Sequence, residues 1–206
     1  MPSMKWYRQA RLPAWNGLVN WDSDAVVVTL HTSAYIPNPD TDAFVSNLTG
    51  EVATGSGYVQ GGIALTSKSV IYSPANSWPY AWAPATAYAA GQLIRPPNAN
   101  GQVFQCVAAG TSGSSQPAWP AYGLTVTDGS VTWLAAGAGI ITWNAQNIQW
   151  AAFSASLRYL VVSDRQQGSP AAQPLLGYLD LGVTTSGSGG NFDVVWSPAV
   201  FADVVP

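Results

Sequence analysis

The sequence predicts an all-β fold: an outer β-sandwich or barrel domain carrying a small inserted β module, with an extended N-terminal arm. Three observations predict it. Short β-branched and aromatic runs recur along the chain, separated by turns drawn from 20 glycines and 15 prolines in 206 residues. Aromatic residues make up 12% of the chain and charged ones only 8%, the reverse of a disordered composition. From Trp78 to Gly139 the only charged residues are Arg95 and Asp128, a shift of composition that marks a module boundary.

The elements follow in order. Residues 1–23 hold three basic side chains, Lys5, Arg8 and Arg11, and four aromatics, Trp6, Tyr7, Trp15 and Trp21, with no sustained periodicity. This is the extended arm, expected to be held by contacts elsewhere and to be dispensable for the β fold. Residues 25–32 form a continuous apolar, β-branched run, which predicts a strand covered on both faces. After the turn-rich Ile36–Asp40, the stretch Asp40–Leu48 offers an N-cap candidate with Phe44 and Leu48 four apart, which predicts one or two turns of the sole helix. Gly55, Gly57, Gly61 and Gly62 predict tight bends at a sheet edge. Strands are expected at 63–65, 68–72, 140–143, 157–162, 175–181, 191–196 and 199–201. The resulting division is an arm (1–23), a discontinuous outer domain (24–77 plus 138–206) and an inserted module (78–137), which sits in a connection because inserted modules have neighbouring ends.

The inventory of reactive side chains is poor. The net charge of −3 argues against nonspecific nucleic-acid binding. With one cysteine, Cys106, there is no intrachain disulfide framework, and one histidine, His31, leaves a Ser-His-Asp site without an evident acid partner. His31 is read as a strand residue making packing or backbone contacts, and Cys106, between apolar neighbours, as a small hydrophobe. The spacings Asp22/Asp24 and Asp40/Asp42 suit calcium oxygens, yet lack a third acid and are explained as well by turns and caps. Glu51 is the only glutamate, so no carboxylate pair for glycoside hydrolysis can be named. The expectation is therefore no catalytic residue, no metal, no cofactor and no enzymatic activity. No apolar run reaches the 18 or so residues of a membrane span, and the first residues lack a signal-peptide core. Among the aromatics of the middle module, Trp82, Tyr88 and Trp133 are assigned to its core. Trp119 and Tyr122 are kept as candidates for stacking on a glycan or a partner.

Several of these stretches carry a resemblance. Residues 28–40, the glycine-rich 55–62, Arg158–Val162 and Leu175–Asp180 resemble a family of tailed-bacteriophage virion proteins regarded as capsid decoration, or cement, and related structural proteins. The middle module is similar to a phage-tail and glycosidase-associated β module related to chitin-binding type 5/12 domains, through Trp82, Tyr88, Gly91, Leu93, Asn100-Gly101, Phe104, Cys106, Gly110–Gly113, Pro117–Pro120 and Thr127–Trp133. Its second half departs from the chitin-binding pattern. The first resemblance implies a decoration protein on the outer capsid surface of the virion, synthesised in the host cytoplasm. Its partners would be the major capsid protein and neighbouring copies of itself, with a homotrimer suited to three-fold lattice positions. Lys5, Trp6, Tyr7, Arg8, Arg11 and Trp15 are the expected capsid or subunit contacts. The second implies the alternative, a carbohydrate-binding head-fibre or tail module that adheres to a host glycan. Neither implies direct contact with nucleic acid or membrane.

Overall fold

The structure, a computed structural model that describes residues 4–205 apart from the Trp15 side chain, is all-β. In chain order its strands are β1 (Lys5–Trp6), β2 (Val26–His31), β3 (Ile63–Ala64), β4 (Ser69–Pro74), β5 (Ala87–Tyr88), β6 (Leu93–Ile94), β7 (Val103–Ala108), β8 (Gly110–Thr111), β9 (Thr125–Asp128), β10 (Val131–Gly137), β11 (Gly139–Asn144), β12 (Ile148–Phe153), β13 (Ser156–Asp164), β14 (Leu175–Ser186), β15 (Gly190–Val194) and β16 (Phe201–Val205). Every sheet among the described residues is open, with edge strands at both ends, so the barrel alternative does not occur and the architecture is sandwich-like. No helix among those residues is long and apolar enough to cross a membrane. The chain divides into two units.

The larger unit spans Pro2–Val70 and Trp143–Phe201. Its main sheet runs β1-β14-β13-β2-β3 with antiparallel pairing throughout. All six residues of β2 are buried, as continuous apolarity demands of a strand covered on both faces. Opposite it β13 sets Leu160 against Leu30 and Val162 against Val28, every one of them at 1% exposure or less. Each such side chain contributes about 1.5–3 kcal/mol on leaving water. The pair β12 and β15 adds Ile148, Trp150, Phe153 and Val194 to the same core. Of the predicted bends, Gly62 is the most constrained: its φ is +76°, and a Cβ there would collide with the Val28 carbonyl.

Two expectations are corrected here. The N-terminal segment is not an extended arm. Lys5 and Trp6 pair with Tyr178 and Gly177 as the edge strand of the main sheet, and a 3₁₀ turn (Arg8–Ala10) leads into α1 (Arg11–Trp15). Tyr7, Ala10 and Trp21 lie in the unit's core, so the segment is part of the β fold. Residues 1–3 of the expected arm lie outside the described residues. The second correction concerns Asp40–Leu48, which is not a helix beyond a 3₁₀ turn at Val45–Asn47. Phe44 is extended (φ −132°, ψ 159°) and bridges Pro174, while the Asn47 side-chain oxygen accepts the backbone N–H of Phe44 and Ala43. Those bonds compete with helical ones, as short polar side chains do.

The smaller unit spans Ile71–Thr142 with Ala202–Pro206, so it starts before and ends after residues 78–137 and takes in the chain's last strand. Its four-stranded sheet runs β6-β7-β10-β9, and β5 pairs with β8. Along β10 the residues alternate buried and half-buried, which puts Val131, Trp133 and Ala135 on the core side. They pack with Trp82, Ile94, Phe104 and Cys106, and Tyr88 closes the cluster edge-on, 4.8 Å from Trp133. A second cluster joins Ala75, Trp78, Val103 and Ile140. β16 enters through Val205, whose carbonyl accepts the Ala138 N–H at 2.9 Å. The chain passes between the units within β4, β11 and β16.

Candidate interaction surface

The reactive side chains come first, because they decide whether a catalytic reading is open. His31 is fully buried. Its Nδ1 lies 2.8 Å from the Thr49 carbonyl, which can only accept, so Nδ1 carries the hydrogen and Nε2 faces the Thr29 hydroxyl at 2.9 Å. Burial pushes its pKa down from the usual imidazole value, against the pull of the Thr49 carbonyl and of Glu51. The ring is thus a neutral strut between strand and loop. Glu51 accepts the Tyr58 hydroxyl and the Gly61 N–H, each at 2.7 Å. Burial pushes the Cys106 thiol up, away from thiolate chemistry, and Sγ meets the Ala108 carbonyl at 3.3 Å.

The other acids are engaged in the same way. Asp42 ends a relay in which the buried Tyr7 hydroxyl donates to Tyr35 (2.6 Å) and Tyr35 to Asp42 (2.8 Å); burial drives both phenols upward. Asp128, 4% exposed, accepts the indole N–H of Trp82 (2.7 Å) and Trp133 (3.1 Å) on one oxygen and the Gly113 N–H (2.8 Å) on the other. Asp180 forms a fork with Arg158, which holds its carboxyl below the usual range. Among the described residues no three metal-ligating side chains converge. A shallow depression lined by Asn147, Gln149, Asp193 and Val195 offers one carboxylate, already bonded to Gln149. The Thr29 hydroxyl that faces His31 is fully buried with it, out of reach of a substrate.

The residues expected to make contacts fall into two groups. Tyr7 is interior and so not a contact residue, a correction that follows from its place in the relay. Trp6 is half-buried and stacks on Phe201 with centroids 4.0 Å apart. Lys5, Arg8 and Arg11 are exposed, and Arg8 pairs with Asp40 of the same unit. The Trp15 side chain lies outside the described residues. In the smaller unit Trp119 is half-buried, 4.5 Å from Phe104 and 6.3 Å from Trp133, so much of its ring faces inward. Tyr122 is 56% exposed and the better placed of the two for stacking.

Apolar exposure is where sequence reasoning missed most. In β4, which among the described residues stands at the edge of its sheet beside β11, Val70, Ile71 and Tyr72 are all exposed. The strand Ser-Val-Ile-Tyr-Ser-Pro carries no charge, whereas edges that avoid pairing usually carry one. Three successive uncharged apolar residues in a short strand were the available signal. In the N-terminal segment Leu12 and Leu18 point outward as well, at 62% and 56% exposure. Comparison with family models, with curated proteins and with solved structures finds no match for this chain.

Proposed function

We propose that this chain is a non-enzymatic virion structural protein of a tailed bacteriophage, a capsid decoration protein that binds the major capsid lattice and its own neighbouring copies, as a homotrimer. One observation supports it above the rest: the reactive side chains are engaged in holding the chain's own loops and cores, while uncharged apolar side chains stand exposed on an edge strand and on the N-terminal segment. Such a surface suits association. The resemblance of residues 28–40, 55–62, 158–162 and 175–180 to virion proteins supplies the capsid as partner. A protein that binds only the assembled lattice stabilises it by mass action, copy by copy. The contact residues in this reading are Lys5, Trp6, Arg8 and Arg11 at the rim and Leu12 and Leu18 as apolar anchors.

The alternative, adhesion to a host glycan through the smaller unit, is favoured by Tyr80 and Tyr122, both exposed. One experiment separates the two. Purified protein is added to capsids that lack it, and co-sedimentation and capsid rupture temperature are measured beside binding to a glycan array. Stoichiometric co-sedimentation with a raised rupture temperature is expected. Failure to sediment with capsids, together with glycan binding lost in Tyr122→Ala, would replace decoration by adhesion.

A further inference from the structure

At the end of the main sheet two carboxyl groups meet. Asp164, the last residue of β13, is fully buried. Its Oδ1 accepts the Gln166 N–H at 2.7 Å, and its Oδ2 has no hydrogen-bond donor. Its neighbour is the carboxyl of Asp24, from the loop that leads into β2: Asp164 lies opposite Val26 across the sheet, and the Arg165 N–H donates to the Ala25 carbonyl at 2.8 Å. Both oxygens of Asp24 are already acceptors, Oδ2 from the Asn20 N–H (2.5 Å) and Oδ1 from the Ser23 hydroxyl (3.3 Å). The charged group facing the pair from elsewhere is Lys68, in the turn before β4; its ammonium bonds the Leu65 carbonyl at 3.4 Å. Arg165, next along the chain, is turned toward Ser163 and Gln173.

Two facing carboxylates, one of them stripped of water, repel each other and leave a buried oxygen unsatisfied. A hydrogen on Asp164 removes both defects at once, because the protonated oxygen becomes a donor to Asp24. We infer that Asp24 and Asp164 share one proton in the folded chain and that this acid pair is a pH-sensitive latch, tying the loop 20–25 to the end of β13 when protonated and loosening it when both ionise. The same loop inserts Trp21 into the core, so loosening it exposes an aromatic anchor.

Burial, with Asp24 beside it, pushes the Asp164 carboxyl up to about 6, whereas an unfolded aspartate titrates near 4. The folded chain therefore holds a proton that the unfolded chain releases between those values. Stability contributed by the pair is full below about pH 4 and is lost as pH rises through about 6. His31 and Asp180, whose folded pKa values are lowered, act in the opposite sense and weaken the fold on acidification. The informative quantity is hence the difference between wild type and a variant at one pH.

Asp164→Asn supplies a permanent neutral mimic, with an amide that donates toward Asp24 and an oxygen that accepts from Gln166. The expected result is that D164N melts at a higher temperature than wild type at pH 7.5, with the gap closing or reversing at pH 5. Asp24→Asn should show the same pattern, and provides the measurement if D164N does not fold. Carboxyl carbon NMR of the wild type should show one aspartate of the pair titrating near 6. A pH-independent gap, or an ordinary aspartate titration for both, would overturn the latch. Each sample is also melted with calcium chloride and with a chelator; stabilisation of wild type but not D164N by calcium at pH 7.5 would mean that a cation, and not a proton, bridges the pair.

Discussion

Asp128 shows how one carboxylate organises a small core. Of the smaller unit's buried indoles, Trp82 and Trp133 both donate to it, and their N–H groups would be unsatisfied without it. Replacing Asp128 by Ala leaves Trp82, Trp133 and the Gly113 N–H without their acceptor, at about 1–3 kcal/mol for each buried donor. A chemical-denaturation experiment followed by tryptophan fluorescence should show a loss of at least about 3 kcal/mol, whereas a loss below about 1 kcal/mol would mean that the bonds are made elsewhere. Asp128→Asn should rescue in part, because its oxygen can keep both indoles while its amide nitrogen would face the Gly113 N–H. At the same scale Tyr7→Phe removes the first donor of the relay to Tyr35 and Asp42. It should cost about 1 kcal/mol, against about 3–5 kcal/mol for Tyr7→Ala, which also opens a cavity. The burial of Trp82 and Trp133 was legible from composition, because a small module has few other large residues for its core. Their acid was not: Asp128 precedes Gly129, and as Asp-Gly it reads as a turn.

Among the elements, legibility follows how continuous the pattern is. β2, apolar but for Thr29 and His31, and β13, apolar from Tyr159 to Val162, stand where the sequence puts them. β12 went unread because Ile148 and Trp150 alternate with Gln149 only until Ala152, where φ is +50° and the register against β15 shifts before Phe153 turns back into the core. α1 was hidden by Pro13, which suits a first helical turn but carries no periodicity in five residues. The N-terminal segment misled for a different reason. Its aromatics fit holes in a sheet made of residues far along the chain, and no local pattern announces that. Deleting residues 1–10 should therefore destabilise the larger unit, not merely detach it from a partner. Thermal unfolding of the deletion should fall by well over 10 °C or become non-cooperative; an unchanged transition would restore the reading of a free arm.

At the scale of the whole molecule, the all-β class and the poverty of reactive groups were visible in composition. The membership of the last strand was not, since Phe201–Val205 looks like any other β-branched run and only its pairing assigns it. Removing residues 202–206 should accordingly weaken the smaller unit, because the Ala138 N–H loses the Val205 carbonyl. Hydrogen exchange would register this as lost protection at Ala138 and along β11. Protection unchanged there would mean that β16 is an ornament.

The three passages of the chain between units also fix a timetable. The larger unit needs β2, near the start, to meet β13, which in turn pairs with β14, and its core includes Phe201. The smaller unit takes in residues at the very end. A nascent chain emerging in N-to-C order thus cannot finish the larger unit before Phe201, or the smaller one before Val205, has been made, and Val70–Tyr72 stays uncovered throughout. A chain stalled or truncated before Phe201 would complete neither unit and would be a sticky product.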